Sequence, residues 1–333
     1  MEQFILQSSM PFVVVLLVVG FVLLINGADF FVEGSSSVAK RFHVPPVIIG
    51  LTVVAMGTSL PETAVSVTAS VTNNNALAVS NAIGSNIFNL MVVIGMCALL
   101  TNVPVGKDTI RKDIPFSAVC ALLLLGLGLW SLGDGTPMIL GHLDGILLLA
   151  LFIIYIVTLV KRTLKAQKAG QEVEVELDSD EDIKLLSVPL SLFYIVGGAV
   201  AIAIGGDLTV DTASRIASEL GMSQTLIGLT IVSIGTSLPE LVTSIVAAKK
   251  KAIGMALGNA IGSNIFNILL VLGIASSISP ITFLKENVMD IVVLLVFTLI
   301  VWIPAAGKKE LKRMDGVIML LLYAAYAVYI FLR

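Results

Sequence analysis

The chain has 333 residues, 57% of them hydrophobic and only 13% charged, and its mean hydropathy is +1.01. A soluble domain carries about 25% charged residues, so this composition excludes a soluble fold and describes a polytopic membrane protein. The formal net charge of −3 decides little, because the distribution of charge along the loops matters more than its sum, and no nucleic-acid partner is expected.

Hydropathy predicts an all-α chain of about ten spans. The first runs from Pro11 to Val32 and continues toward Lys40; with no basic segment in Met1-Glu2-Gln3-Phe4 before it, it reads as a retained span and not a cleaved signal. The second covers Val47 to Val71. After the polar turn Asn73-Asn74-Asn75 come Ala76–Leu100, Ile114–Leu132 and Met138–Val160. The remaining five are Leu186–Ile204 (continuing to Leu220), Leu226–Ala248, Ile253–Ser277, Val288–Pro304 and Met314–Leu332. Cys97 and Cys120 both lie in apolar segments and read as small buried hydrophobes, not a disulfide. His43 and His142 stand at segment ends, away from any transition-metal grouping.

Loop charge sets the orientation. With the N-terminus outside, the cytoplasmic loops hold seventeen Lys and Arg residues, and the opposite side holds only Arg215, Lys285 and Arg333. Both termini are therefore expected on the extracellular or periplasmic side. Residues 161–185 form a cytoplasmic linker carrying Glu172, Glu174, Glu176, Asp178, Asp180, Glu181 and Asp182. This run reads as a solvated connector, because it lacks the ligand spacing and glycine of an EF-hand.

The chain is internally duplicated at a constant offset of 178 residues. Gly50 to Glu62 matches Gly228 to Glu240 at ten of thirteen positions, and Asn81 to Asn89 matches Asn259 to Asn267 at all nine. Residues 1–160 and 186–333 are the two repeats. Each has five spans, an odd number, so the second inserts upside down relative to the first. Inverted repeats with a site at the bilayer midplane are the architecture of secondary transporters.

The duplicated stretch Gly-Thr-Ser-Leu-Pro-Glu, at 57–62 and 235–240, puts a carboxylate and a proline inside an apolar span. A charge at a helix centre costs about 2.5–3.5 kcal/mol on the insertion scale. Ala55, Thr58, Ser59 and Glu62 fall at i, i+3, i+4 and i+7, one helical face. Pro61 has no N–H, so the Gly57 carbonyl loses its usual partner. On the third span Asn81, Ser85 and Asn89 share a face, with Gly84 permitting a break. The second repeat supplies Ser233, Thr236, Ser237 and Glu240, then Asn259, Ser263 and Asn267. All are hard oxygen donors, suited to calcium, sodium or magnesium. Two carboxylates balance one divalent cation, or two monovalent cations or protons, which is the charge logic of an antiporter.

These paired motifs, with ten spans in two inverted halves, resemble the sodium/calcium exchangers of the cation/calcium exchanger superfamily, in their compact prokaryotic form. The resemblance implies a core of spans 2, 3, 7 and 8, across which the long spans 1 and 6 slide. It implies that Glu62 and Glu240 ligate calcium centrally and sodium alternately, with Asn89 and Asn267 at the central position. The carbonyls of Ala55 and Ser233, with Thr58, Ser59, Thr236 and Ser237, would complete sodium sites, and Ser85 and Ser263 would contribute from neighbouring helices. It further implies about three sodium ions exchanged for one calcium, a cycle worth about 2.3 kcal/mol per 100 mV. The expected partners are these two ions and the lipid bilayer, with no cofactor and no enzymatic activity. A monomer in a prokaryotic inner membrane is the expected state.

Asparagine at position 267, where potassium-dependent relatives carry aspartate, resembles the potassium-independent pattern. The glutamate that the proton/calcium branch places after the Gly-Asn of this second motif is absent. A cation/proton antiporter using the same two glutamates remains the alternative, and a cation channel is the reading from another class.

Overall fold

The computed structural model describes residues 2–71, 76–130, 138–168, 184–222, 231 and 233–332. The Asn73–Asn75 turn, the acidic run of the linker and the start of the seventh expected span lie outside these residues.

The first long helix, α1, spans Met10–Arg41, and its counterpart α2 spans Val188–Glu219. Each follows an extended serine (Ser9, Ser187) and has a proline in its first turn, Pro11 or Pro189, where a missing N–H costs no hydrogen bond. At 32 residues each is about 48 Å long, well beyond a hydrocarbon core of about 30 Å. They pack antiparallel. A Cβ on Gly27 would come within 3.1 Å of the Gly198 carbonyl, and one on Gly20 within 3.2 Å of the Gly205 carbonyl. Without side chains here, the two backbones approach closely enough for the helices to lie against each other.

The second expected span is broken. Pro46–Thr58 (α3) and Leu60–Val71 (α4) meet at Ser59 with a bend of 48°. Next come α5 (Ala78–Leu100), α6 (Thr109–Leu129) and α7 (His142–Lys165). In the second half, the turn Ser233–Gly235 leads through Ser237 into α8 (Leu238–Lys249). Then follow α9 (Ile253–Ile278), α10 (Lys285–Lys308) and α11 (Arg313–Leu332). Among the described residues, eight helices are long and apolar enough to cross a membrane, or nine with the bent pair counted as one span. The fold is thus a helical, multi-pass membrane protein.

Burial sorts these helices. In α5 and α9, 72% and 78% of the apolar window is buried, against 22% in α1 and α2. The central pair is therefore polar at its most enclosed, and the peripheral pair is apolar where it faces lipid. Two short ladders tie the halves together outside this core. Val103–Pro104 (β1) pairs with Glu310–Leu311 (β4), and Ile139–Leu140 (β2) with Ile281–Thr282 (β3), both antiparallel. Each ladder joins a strand after a central helix to a strand from the other half. Cys97 and Cys120 are buried free thiols, as the sequence suggests.

One local expectation changes. Gly84 does not break its helix, which is regular from Ala76 to Phe88 and widens into a π turn at Asn89–Val93. Its counterpart Gly262 serves packing instead: a Cβ there would lie 2.8 Å from Leu51 Cα. Gly57 likewise owes its identity to a neighbour, because the Phe31 ring of α1 would sit 2.6 Å from an added Cβ. Asp29 of α1 pairs with Lys250 Nζ at 2.8 Å.

Candidate cation site

Ser59 and Ser237 occupy the two breaks, with non-helical backbones of φ −82°, ψ 12° and φ −94°, ψ 5°. Proline two residues later removes an N–H from each following turn, so neither helix can continue straight through. The hydroxyls at the breaks point across the interface between halves. Ser59 donates to Glu240 Oε1 at 3.0 Å, and Ser237 donates to Glu62 Oε1 at 3.2 Å. Each glutamate oxygen also accepts from the central helix of its own half: Ser85 to Glu62 at 3.4 Å, Ser263 to Glu240 at 3.3 Å. Ser237 further bonds Ser85 at 3.0 Å.

A second set of cross-bonds joins the central helices. Asn86 Nδ2 donates to the Asn264 carbonyl at 3.1 Å, and Asn264 Nδ2 to the Asn86 carbonyl at 3.2 Å. Asn89 Nδ2 donates to Asn264 Oδ1 at 3.2 Å, and Asn267 Nδ2 to Asn86 Oδ1 at 3.1 Å. Every one of these bonds recurs with its residues shifted by 178. Asn89 and Asn267 each open a π turn, the widening common where a helix carries function.

Eleven of the twelve residues expected at the site have a described environment, and all eleven are buried: Glu62, Glu240, Thr58, Ser59, Thr236, Ser237, Ser85, Ser263, Asn89, Asn267 and Ala55. Ser233 is placed in the turn before the second break, and its side chain lies outside the described residues. The Ala55 carbonyl accepts the Ser59 N–H at 3.0 Å.

What this arrangement leaves over is informative. Four buried oxygens have no hydrogen-bond donor: Glu62 Oε2, Glu240 Oε2, Asn89 Oδ1 and Asn267 Oδ1. A buried acceptor without a partner costs about 1–3 kcal/mol, and more when charged. The four form two pairs related by the 178-residue offset, one oxygen from each glutamate and one from each amide. Among the described residues no group of three or more His, Cys, Asp or Glu side chains comes together. Two carboxylates and neutral oxygens make a donor set for a hard cation.

Sequence reasoning did not select Asn86 and Asn264, which lie off the Asn81–Ser85–Asn89 face. Their signal was present in the same matched motif: two polar residues at equivalent places in apolar helices, three positions before Asn89 and Asn267. Ser66 and Ser244 were also missed. They accept from Asn81 at 3.5 Å and from Asn259 at 2.9 Å, one turn beyond each glutamate.

Comparison with known proteins identifies the family. The profile of the sodium/calcium exchanger protein family matches residues 12–161 and 190–332. The putative antiporter CaxA of Alkalimonas amylolytica is 38% identical over 95% of this chain and 98% of its own length. The sodium/calcium exchanger MaX1 of Methanosarcina acetivorans is 32% identical over 95% of this chain and 97% of its own. A structure of the sodium-calcium exchanger NCX_Mj, soaked without sodium or calcium, superposes with a TM-score of 0.81 at 34% identity, covering 97% of this chain and all of that one. With a family profile over most of its length and full-length exchangers among its relatives, the chain belongs to the sodium/calcium exchanger family, in its compact prokaryotic form.

Proposed function

We propose that the chain is a sodium-driven calcium antiporter working by alternating access, with one cation site shared between two inverted repeats of five spans, residues 1–160 and 186–333. The observation that carries this reading is the quartet of unpartnered oxygens on Glu62, Glu240, Asn89 and Asn267. Calcium is the substrate bound there, its two charges balanced by the two carboxylates. The relatives NCX_Mj and MaX1, both sodium/calcium exchangers, support sodium as the coupling ion.

Sodium binds the same glutamates in turn. Ser59, Ser85 and Ser263 each give their proton to a glutamate oxygen, and Ser237 divides its single proton between Glu62 and Ser85, so the remaining hydroxyl lone pairs are left to face a monovalent cation. The carbonyls of Ala55 and Ser233, with Thr58 and Thr236, extend the set on either side. Three sodium ions against one calcium would move one net charge per cycle. The matched residues on antiparallel helices, Gly20 with Gly205 and Gly27 with Gly198, support the inverted repeat and, with it, ten spans. Loop charge supports an inner membrane with both termini outside, and the linker of residues 161–185 in the cytoplasm.

Calcium-45 uptake into proteoliposomes tests the coupling. An outward sodium gradient should drive uptake above the level set by the calcium gradient alone, and an outward proton gradient should not. Uptake driven by protons and indifferent to sodium would replace this reading with the proton antiporter.

A further inference from the structure

The Asn81 and Asn259 side chains stand one helical turn before Ser85 and Ser263, and the cation chemistry above gives them no ligand role. Asn259 is fully buried. Its Nδ2 donates to Ser244 Oγ at 2.9 Å and lies 3.4 Å from the Glu240 carbonyl. A carbonyl oxygen only accepts, so the amide nitrogen must face α8, and its oxygen is turned toward the first half. There Oδ1 accepts the Thr58 hydroxyl at 3.1 Å. The offset counterpart is looser: Thr236 donates to Asn81 Oδ1 at 3.4 Å.

The Thr58 hydroxyl has a single proton and three acceptors around it: Asn259 Oδ1 at 3.1 Å, the Ala55 carbonyl on its own helix at 3.4 Å, and the Glu240 carboxylate. That carbonyl already accepts the Ser59 N–H at 3.0 Å. A carbonyl has two lone pairs, so a second donor from Thr58 would occupy the one that remains. Threonine in a helix commonly bonds back in this way, as Thr52 does to Ile48 at 2.7 Å and Thr63 to Ser59 at 2.8 Å.

We infer that Asn259 is a positioning residue for sodium: by taking the Thr58 proton it keeps both the Ala55 carbonyl and the Thr58 lone pairs turned toward the ion. The inference rests on the sodium reading above and deepens it, because it says which side chain orients the ligands of one sodium position. Calcium at the glutamate and amide oxygens uses neither the Ala55 carbonyl nor the Thr58 lone pairs.

The test is Asn259→Ala in proteoliposomes, reading half-saturating sodium and half-saturating calcium separately. Loss of one hydrogen-bond acceptor should raise half-saturating sodium roughly three- to ten-fold, the equivalent of about 0.5–1.5 kcal/mol, and leave that for calcium within about two-fold. Unchanged calcium saturation also reports a folded protein. Because Asn259 touches Ser244 and Glu240 as well, the substitution is repeated in a Thr58→Val background, where no proton is left to place. There Asn259→Ala should add no further shift. A parallel rise for both ions, no change in either, or a sodium shift that persists with Thr58→Val would each overturn the inference. Sodium-indifferent flux in the unaltered protein would overturn the sodium reading and this inference with it, whereas sodium-driven flux without the split overturns the inference alone.

Discussion

Glu62 and Glu240 are held in the same way, each with one oxygen accepting from two serines and the other left open. This division matters chemically. The bonded oxygen fixes the rotamer of a carboxylate that would otherwise reorient, and the open oxygen is available to a cation. Glutamine at either position keeps the shape and loses the charge, so one ligand turns neutral and the balance for a divalent ion fails. Glu62→Gln and Glu240→Gln should each lower calcium exchange by about a hundred-fold or more, since ligand charge count sets affinity at oxygen sites. Exchange measured in proteoliposomes at the unaltered rate for either variant would show that its carboxylate is not a ligand. The glutamates, serines and motif asparagines were legible in the sequence because each sits on one helical face at matched offsets. The Asn86–Asn264 exchange and the Thr58–Asn259 bond were not, because they depend on how two halves face each other, and a linear offset carries no information about that.

At the level of elements, the breaks at Ser59 and Ser237 are the hinge-like features, and the long helices touch them directly. Phe31 of α1 packs on Gly57, and Val210 of α2 packs on Gly235. Hydropathy reads residues 47–71 as one uninterrupted span, and the sequence alone gives no reason for glycine at 57. The packing supplies one: a methyl group at Gly57 would meet a fully buried aromatic ring at 2.6 Å. Gly57→Ala should therefore destabilise by about 1–3 kcal/mol through overpacking and slow exchange. Trimming the ring, in the double variant Phe31→Ala with Gly57→Ala, should recover part of the loss, because it removes the clash. Thermal unfolding and exchange rate would check this together; equal losses in the single and double variants would assign the glycine to the backbone after all. The span boundaries read from hydropathy agree with the helices to within a few residues over most of their length. The π turns were not foreseeable, since a one-residue widening leaves no mark on hydropathy.

For the whole molecule, the two halves share their polar interior and divide their periphery. The serine–glutamate and asparagine–asparagine bonds recur across the interface with the 178-residue shift, as does the glycine contact between α1 and α2. The ion pairs of Lys250 depart from that symmetry. Lys250, after α8, pairs with Asp29 at 2.8 Å and lies 3.5 Å from Glu33, both on α1. The equivalent position in the first half is Thr72, so a lysine cannot make the reverse bond there. These side chains are partly exposed, and such pairs contribute only about 0–1 kcal/mol. The shared interior carries the larger consequence, because neither half alone assembles the four open oxygens.

That makes equilibrium binding of calcium-45 to the purified chain the most direct measurement. A site built jointly by the halves should bind one calcium per chain, lose it competitively to sodium with a steeper than hyperbolic dependence, and lose it altogether with Glu62→Gln or Glu240→Gln. Two independent calcium sites per chain, one surviving each single substitution, would contradict the shared site.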